Sequence, residues 1–407
     1  MAHPYLELLR DRSIRTLWAG LVVSDLGSEL YRVGAVWLAA ELAGADASLL
    51  VSAQSAAVLA SAVLAGAVTD PWPRRPLLIG GELLAAGAAL SVVASAAIWG
   101  LSFPVLVAAT VLLALIGAAV HPVIVSSLPR LAAPERLRDV SGLFDVGARA
   151  ARAAGPFLAA ALMGVIPAIH LLTANALSFL AAAGAMAAVG RRLDAPREGA
   201  GPSGFLRRLS RGVRAANACP AAWPILVGTS IRGGAYALAF TVGVPLFFAQ
   251  QPGEGGLAAV AVVFGAAAAG ELLPNPLLVL TRPKRPLQRL FQGYAAIGAG
   301  LAAAGWALSL DGHAQLLALA AAAFVIGLGG SVAGLQIFAW FGSQLSADDY
   351  AAVLRLRMAM IVVATIAATA AGPWILPALG VAATLYAGGA ATLAAAAVGG
   401  WLARRAG

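Results

Sequence analysis

Twelve mainly apolar stretches divide this chain, each about as long as the ~20 residues a helix needs to cross a bilayer. They run over roughly 14–42, 46–69, 76–100, 103–129, 140–165, 166–190, 222–250, 256–281, 286–310, 313–345, 350–376 and 378–403. A soluble fold is excluded, because 61% of the residues are hydrophobic and 11% charged, whereas a water-facing surface needs about a quarter charged. The pattern predicts an all-α polytopic membrane protein of twelve transmembrane helices.

Basic residues occupy alternate loops only. They gather at Arg10/Arg12/Arg15, Arg74/Arg75, Arg130/Arg136/Arg138, Arg191 to Arg214, Arg282/Lys284/Arg285, Arg355/Arg357 and Arg404/Arg405, and the loops near Asp46, Leu101, Pro167, Glu254, Asp311 and Leu379 have none. By the positive-inside rule, both termini and the long central loop face the cytoplasm. The net charge of +9 therefore serves topology and anionic lipid, and no nucleic-acid partner is expected. The single cysteine, Cys219, allows no internal disulfide and no zinc-type pair. No cofactor is expected. The start, MAHPYLELLRDR, lacks the apolar core and cleavage site of a removable signal peptide.

Six runs precede the polar stretch from Arg191 to Pro220 and six follow it. The expected organisation is a six-helix bundle over 1–190, a basic cytoplasmic linker over 191–221, and a second six-helix bundle over 222–407. Within the linker, Phe205 to Arg214 reads as a basic amphipathic helix whose arginines lie on the inner leaflet. The segment Ala151 to Gly164, ARAAGPFLAAALMG, echoes Ala368 to Gly380, ATAAGPWILPALG, as in two bundles related about the membrane normal.

Charges inside the spans mark the candidate site. Asp25, Glu29 and Arg32 share one face of span one, at spacings of four and three. Each charge at that depth costs roughly 2.5–3.5 kcal/mol on insertion scales, so it must be paired or face water. Span five places Asp145, Arg149 and Arg152 on one face, span seven adds Arg232 and, one turn on, Tyr236, and span eight adds Glu271. The signs balance, so a mutually neutralised network is allowed. An arginine left over would anchor a carboxylate or other oxyanion. Gln54, His121, Asn175 and Gln336 are further polar candidates, each more readily explained as an interhelical hydrogen bond. Gly155-Pro156 bends span five. The one lysine, Lys284, lies outside any G-x-x-x-x-G-K-[ST] loop, so ATP does not drive the protein.

Three stretches resemble the major facilitator superfamily, especially its twelve-span bacterial drug and siderophore exporters of proton-antiporter type. Leu8 to Gly44, with LLRDRSIRTLW, resembles the opening helix. Gly66 to Ile79, GAVTDPWPRRPLLI, is similar to the gating loop between spans two and three, matching at Gly66, Asp70, Arg74 and Arg75 and departing at Pro71 and Pro73. The fifth span resembles the antiporter signature at Gly155 and Pro156, with Ala159 and Ala160 in place of its closing glycines.

The resemblance implies a monomer in the bacterial cytoplasmic membrane, not an enzyme, that exports a small organic molecule by alternating access. With the buried carboxylates it gives protons as the coupling ion, and Asp25 and Glu29 as their first candidates. With the arginines it gives an anionic or zwitterionic siderophore or metallophore as cargo. A multidrug antiporter for hydrophobic drugs is the alternative. A metal-ion carrier of the same fold is a second, weakened by four His, one Cys and five Met, mostly dispersed. Asp348/Asp349 are too few acids for a lipid-modifying enzyme.

Overall fold

The computed structural model describes residues 4–69, 73–128, 131, 136–163, 165–190, 205–219, 221–251, 255–274 and 285–406. Among these it is all-α with no strand. The helices are α1 (Pro4–Leu8), α2 (Arg12–Ala43), α3 (Ala47–Thr69), α4 (Arg74–Trp99), α5 (Phe103–Ser127), α6 (Leu137–Met163), α7 (Ile169–Val189) and α8 (Phe205–Asn217). There follow α9 (Ala222–Ala235), a π-helical stretch Tyr236–Val242, α10 (Gly243–Ala249), α11 (Gly256–Leu272), α12 (Pro286–Ala307), α13 (Gly312–Gln344), α14 (Ala347–Ala370) and α15 (Gly372–Ala406).

Eight described segments are long and apolar enough to cross a membrane. The longest, Arg12–Ala62, holds two expected spans, separated where Gly44 takes φ 55° and opens a single 3-10 turn. Outside those eight, α6 and α12 have 27 and 22 residues and α11 has 17. The set is consistent with twelve spans.

Local chemistry sets the breaks. Ala371 ends α14, and Gly372-Pro373 opens α15, where proline's missing N–H would be unpaired anyway. In α6 the matching Pro156 lies inside a continuous helix. The two similar GP segments therefore differ in local structure. Gly380, at φ 77°, bends α15. The expected seventh span runs from α9 into α10 through the π-helical turns, a distortion frequent at functional sites.

The chain divides into two compact units, one of Met1–Leu38 with Ala57–Pro202, the other of Ala39–Ala56 with Ser203–Gly407. In the first, Gly20, Gly27 and Gly34 recur every seven residues along α2 and face α7. A Cβ at Gly27 would lie 3.0 Å from Asn175 Oδ1, and one at Gly34 would lie 3.2 Å from Leu171 Cβ. Small residues at this period let two helices approach without lost side-chain volume. Leu17, Leu78, Val120, Val140 and Met186 form part of an apolar core toward one end.

In the second unit α12 lies between α13 and α15. A Cβ on Gly293 would meet Gly329 O at 2.7 Å, and one on Gly298 would meet Gly389 O at 2.9 Å. The α8 helix docks on α14, with Gly212 so close that a Cβ would lie 2.6 Å from Ala352 O. Arg211 there turns to the acidic first turn of α14, pairing with Asp349 at 2.9 Å and Asp348 at 3.2 Å.

Candidate functional site

In the first unit the charges of α2 and α6 are arranged turn by turn. Arg32 donates from Nε to Glu29 Oε2 at 2.8 Å, and its second terminal nitrogen also bonds that oxygen. Glu29 is mostly buried, and its stem packs against Gly155, where α6 has no side chain. Along the same contact, Trp18 donates its indole hydrogen to Leu143 O at 3.1 Å. The Gly155-Pro156 step is thus a seat for Glu29. On α6, Arg149 donates to Asp145 at 2.8 Å with both side chains exposed.

Asp25 has no such partner one turn away. Half-buried, it faces Arg152 and His121 as attractive neighbours and Glu29 as a repulsive one. A fourth group joins them: Glu82, two turns into α4, also lies within electrostatic range of Asp25. Glu82 is only 7% exposed, and its Oε2 is buried without a hydrogen-bond partner. Its position follows from packing, since the neighbouring Gly81 lies against Val120, the residue before His121. Asp25 thus stands among Glu29, Arg152 and His121, with Glu82 within its electrostatic range.

Asn175 is 1% exposed, accepts from Ser178 Oγ at 3.3 Å and sits opposite Gly27. Of the loop residues, Arg75 donates to Ala187 O at 3.2 Å, satisfying a carbonyl in the last turn of α7. Arg74 begins α4, Gly66 belongs to α3, and Asp70 lies outside the described residues.

In the second unit Arg232 sits on α9 and Tyr236 one turn on, where the π-helical stretch begins. Tyr236 stacks on Phe240, ring centroids 5.1 Å apart. Arg357, on α14, is in electrostatic contact with Arg232 and Tyr294, and its guanidinium carbon lies 5.7 Å from the Phe338 ring centroid. Tyr294 is 0% exposed, and its hydroxyl bonds Thr229 one turn before Arg232. Glu271 is exposed on α11, where its carbonyl accepts from Ser331 Oγ at 2.8 Å. Gln336 is half-buried on α13, and Gln54 is exposed on α3.

Two residues went unselected in the sequence, Glu82 and Arg357. Glu82 carries the same signal that singled out Asp25, a charge well inside an apolar run. Arg357 reads as part of a basic loop beside Arg355, yet α14 begins at Ala347 and places it ~15 Å along the helix axis. Among the described residues no three His, Cys, Asp or Glu gather as metal ligands.

A family described as transmembrane secretion effector matches residues 5–405. The fold is also that of solved transporters of low sequence identity. A peptide transporter POT in complex with alafosfalin aligns with TM-score 0.74 at 14% identity, covering 97% of this chain and 94% of that one. A bacterial homologue of the iron transporter ferroportin in an inward-facing state aligns at 0.70 and 14%, covering 97% and 98%. A bacterial homologue of the human lysosomal transporter Spinster aligns at 0.69 and 14%, again covering 97% and 98%. No curated protein sequence matches.

Proposed function

The chain belongs to the transmembrane secretion effector family of the major facilitator superfamily, and on that premise we propose that it is a proton-coupled exporter of a small organic anion or zwitterion. Membership makes it a multi-pass membrane transporter. The coupling ion, the direction and the cargo are our reading. The two-bundle organisation with a cytoplasmic linker over 191–221, and cytoplasmic termini, belong to the same proposal.

One observation carries it. Glu82 is buried in an apolar helix with a carboxylate oxygen unpartnered, and it faces Asp25, which in turn faces Arg152. A carboxyl group changes charge when its surroundings change between dry, wet and cation-paired. Alternating access makes that change once per cycle. A proton taken by Asp25, Glu29 or Glu82 weakens the pull of Arg152 and Arg32, so the two access states differ in electrostatic energy, which couples proton flow to cargo. The sequence has no G-x-x-x-x-G-K-[ST] loop through which ATP would drive transport. The arginines support an anionic cargo, and a siderophore-like polycarboxylate fits that chemistry; a related fold is known in complex with sulfate.

The test compares chelator secreted into iron-poor medium by cells expressing the chain and by cells expressing Glu82→Gln, Asp25→Asn or Glu29→Gln. Secretion should rise with the wild type, collapse with an uncoupler and fall at least tenfold in the variants at equal membrane abundance. Undiminished secretion by all three variants rules out the coupling assignment. Efflux of hydrophobic dyes in place of chelator favours the multidrug alternative.

A further inference from the structure

Four described arginines pair with a carboxylate, and Arg75, whose Nε is also buried without a partner, bonds the Ala187 carbonyl through its terminal nitrogen. Arg32 has Glu29, Arg149 has Asp145, Arg136 has Glu7 and Arg211 has Asp348 and Asp349. Arg232 and Arg357 make no ion pair among the described residues, and the Nε of each is buried without a hydrogen-bond partner.

Packing holds the two together. A Cβ on Gly233 would lie 3.1 Å from Ile361 Cγ2 and one on Gly234 2.9 Å from Ala364 O, so α9 and α14 nearly touch next to Arg232 and one to two turns beyond Arg357. Like charges brought together inside a membrane protein repel and are costly to desolvate. Among the described residues the relief is neutral: the Phe338 face under Arg357, and the Tyr294 hydroxyl already engaged by Thr229. The Phe338 face offers Arg357 a cation–π contact, which leaves the donors of its guanidinium to a ligand.

We infer that Arg232 and Arg357 form an anion-binding site that takes a carboxylate of an organic ligand, one arginine on each oxygen, with Phe338 as its apolar wall. The ligand supplies the negative charge that the protein omits. Two adjacent guanidiniums favour ligands with more than one carboxylate. The site deepens the export reading by naming the group that holds the cargo, but its binding is measurable without transport.

The experiment is calorimetric titration of the full-length protein in neutral detergent at fixed ionic strength, with citrate as probe and inorganic phosphate as a second arm. Citrate should bind saturably. Arg232→Gln and Arg357→Gln should each weaken it at least tenfold, about 1.4 kcal/mol, while Arg357→Lys loses less because the charge remains without the fork. In a second measurement on the wild type, phenylglyoxal labelling of Arg232 and Arg357, read by mass spectrometry, should slow when citrate is present. That readout stands even where a glutamine variant does not fold. Absence of saturable citrate binding, wild-type affinity in Arg357→Gln, or tighter binding of phosphate than citrate overturns the proposal. Arg136→Gln, at an exposed pair with Glu7 outside the site, should bind citrate as the wild type does. A protein that binds citrate through these arginines while Glu82→Gln still exports loses the coupling assignment alone.

Discussion

The side-chain stem of Glu29 fills the space beside Gly155 that a Cβ at that position would need. The acid that pairs Arg32 on α2 is therefore held in register by the missing side chain on α6. Gly155→Ala forces the helices apart or displaces Glu29, and overpacking of this kind costs about 1–3 kcal/mol. Thermal unfolding in detergent should show a clear drop in midpoint, and export should fall with it. Gly184→Ala, where nothing lies within 4 Å, should leave both unchanged. Equal behaviour of the two variants removes the seat for Glu29.

The docking of α8 on α14 rests on two contacts of different kind. The Arg211 pairs with Asp348 and Asp349 are exposed, and pairs of that sort contribute little. At Gly212 the backbones nearly touch, so a larger residue pushes the helix off. Gly212→Leu should lower the melting midpoint well beyond Arg211→Gln, and raising the salt concentration should not narrow the gap. A larger loss in Arg211→Gln contradicts this ranking.

Tyr294 is wholly buried, and its hydroxyl bonds Thr229, whose own hydroxyl donates to Ile225 O at 2.6 Å. Tyr294→Phe leaves Thr229 satisfied by that carbonyl, so the loss should be about 1 kcal/mol. Tyr294→Ala opens a cavity beside Gly228 and should cost roughly 3–5 kcal/mol. Unfolding midpoints of the two variants measure the difference.

Much of this architecture was legible because a bilayer imposes its own grammar. Apolar runs of span length gave the helices, whereas the break at Gly372-Pro373 falls inside the expected eleventh span, 350–376. The ion pairs Glu29–Arg32 and Asp145–Arg149 follow from helical spacing alone, since residues three and four apart are neighbours on one face. What spacing cannot give is which charge faces which across helices. The approach of Glu82 to Asp25, and of Arg357 to Arg232, depends on how α4 and α14 are rotated. Arg357 shows a further reason: a basic residue near a span's end satisfies a topology rule, and that rule explains it equally well as a loop residue. The balance of charge expected over the whole chain also hid an asymmetry. The acids Asp25, Glu29 and Glu82 lie in one unit, and Arg232 and Arg357 in the other.

Asp25 and Arg152 test whether the acid cluster acts as a unit. Arg152 is the strongest attractive neighbour of Asp25, although the two stand on different helices, α2 and α6. Removing one of two facing charges leaves the other exposed to its remaining neighbours, Glu29 and Glu82 for Asp25. Asp25→Asn and Arg152→Gln should each reduce thermal stability and each abolish dependence of export on the proton gradient. Joined in one protein, their stability losses should fall short of the sum by about 0.5–3 kcal/mol, the coupling of groups in direct interaction. Gradient dependence should not return in the double variant, because Asn at position 25 carries no proton. If the two losses simply add, Asp25 and Arg152 do not interact, and the switching step must be assigned to Glu29 or Glu82.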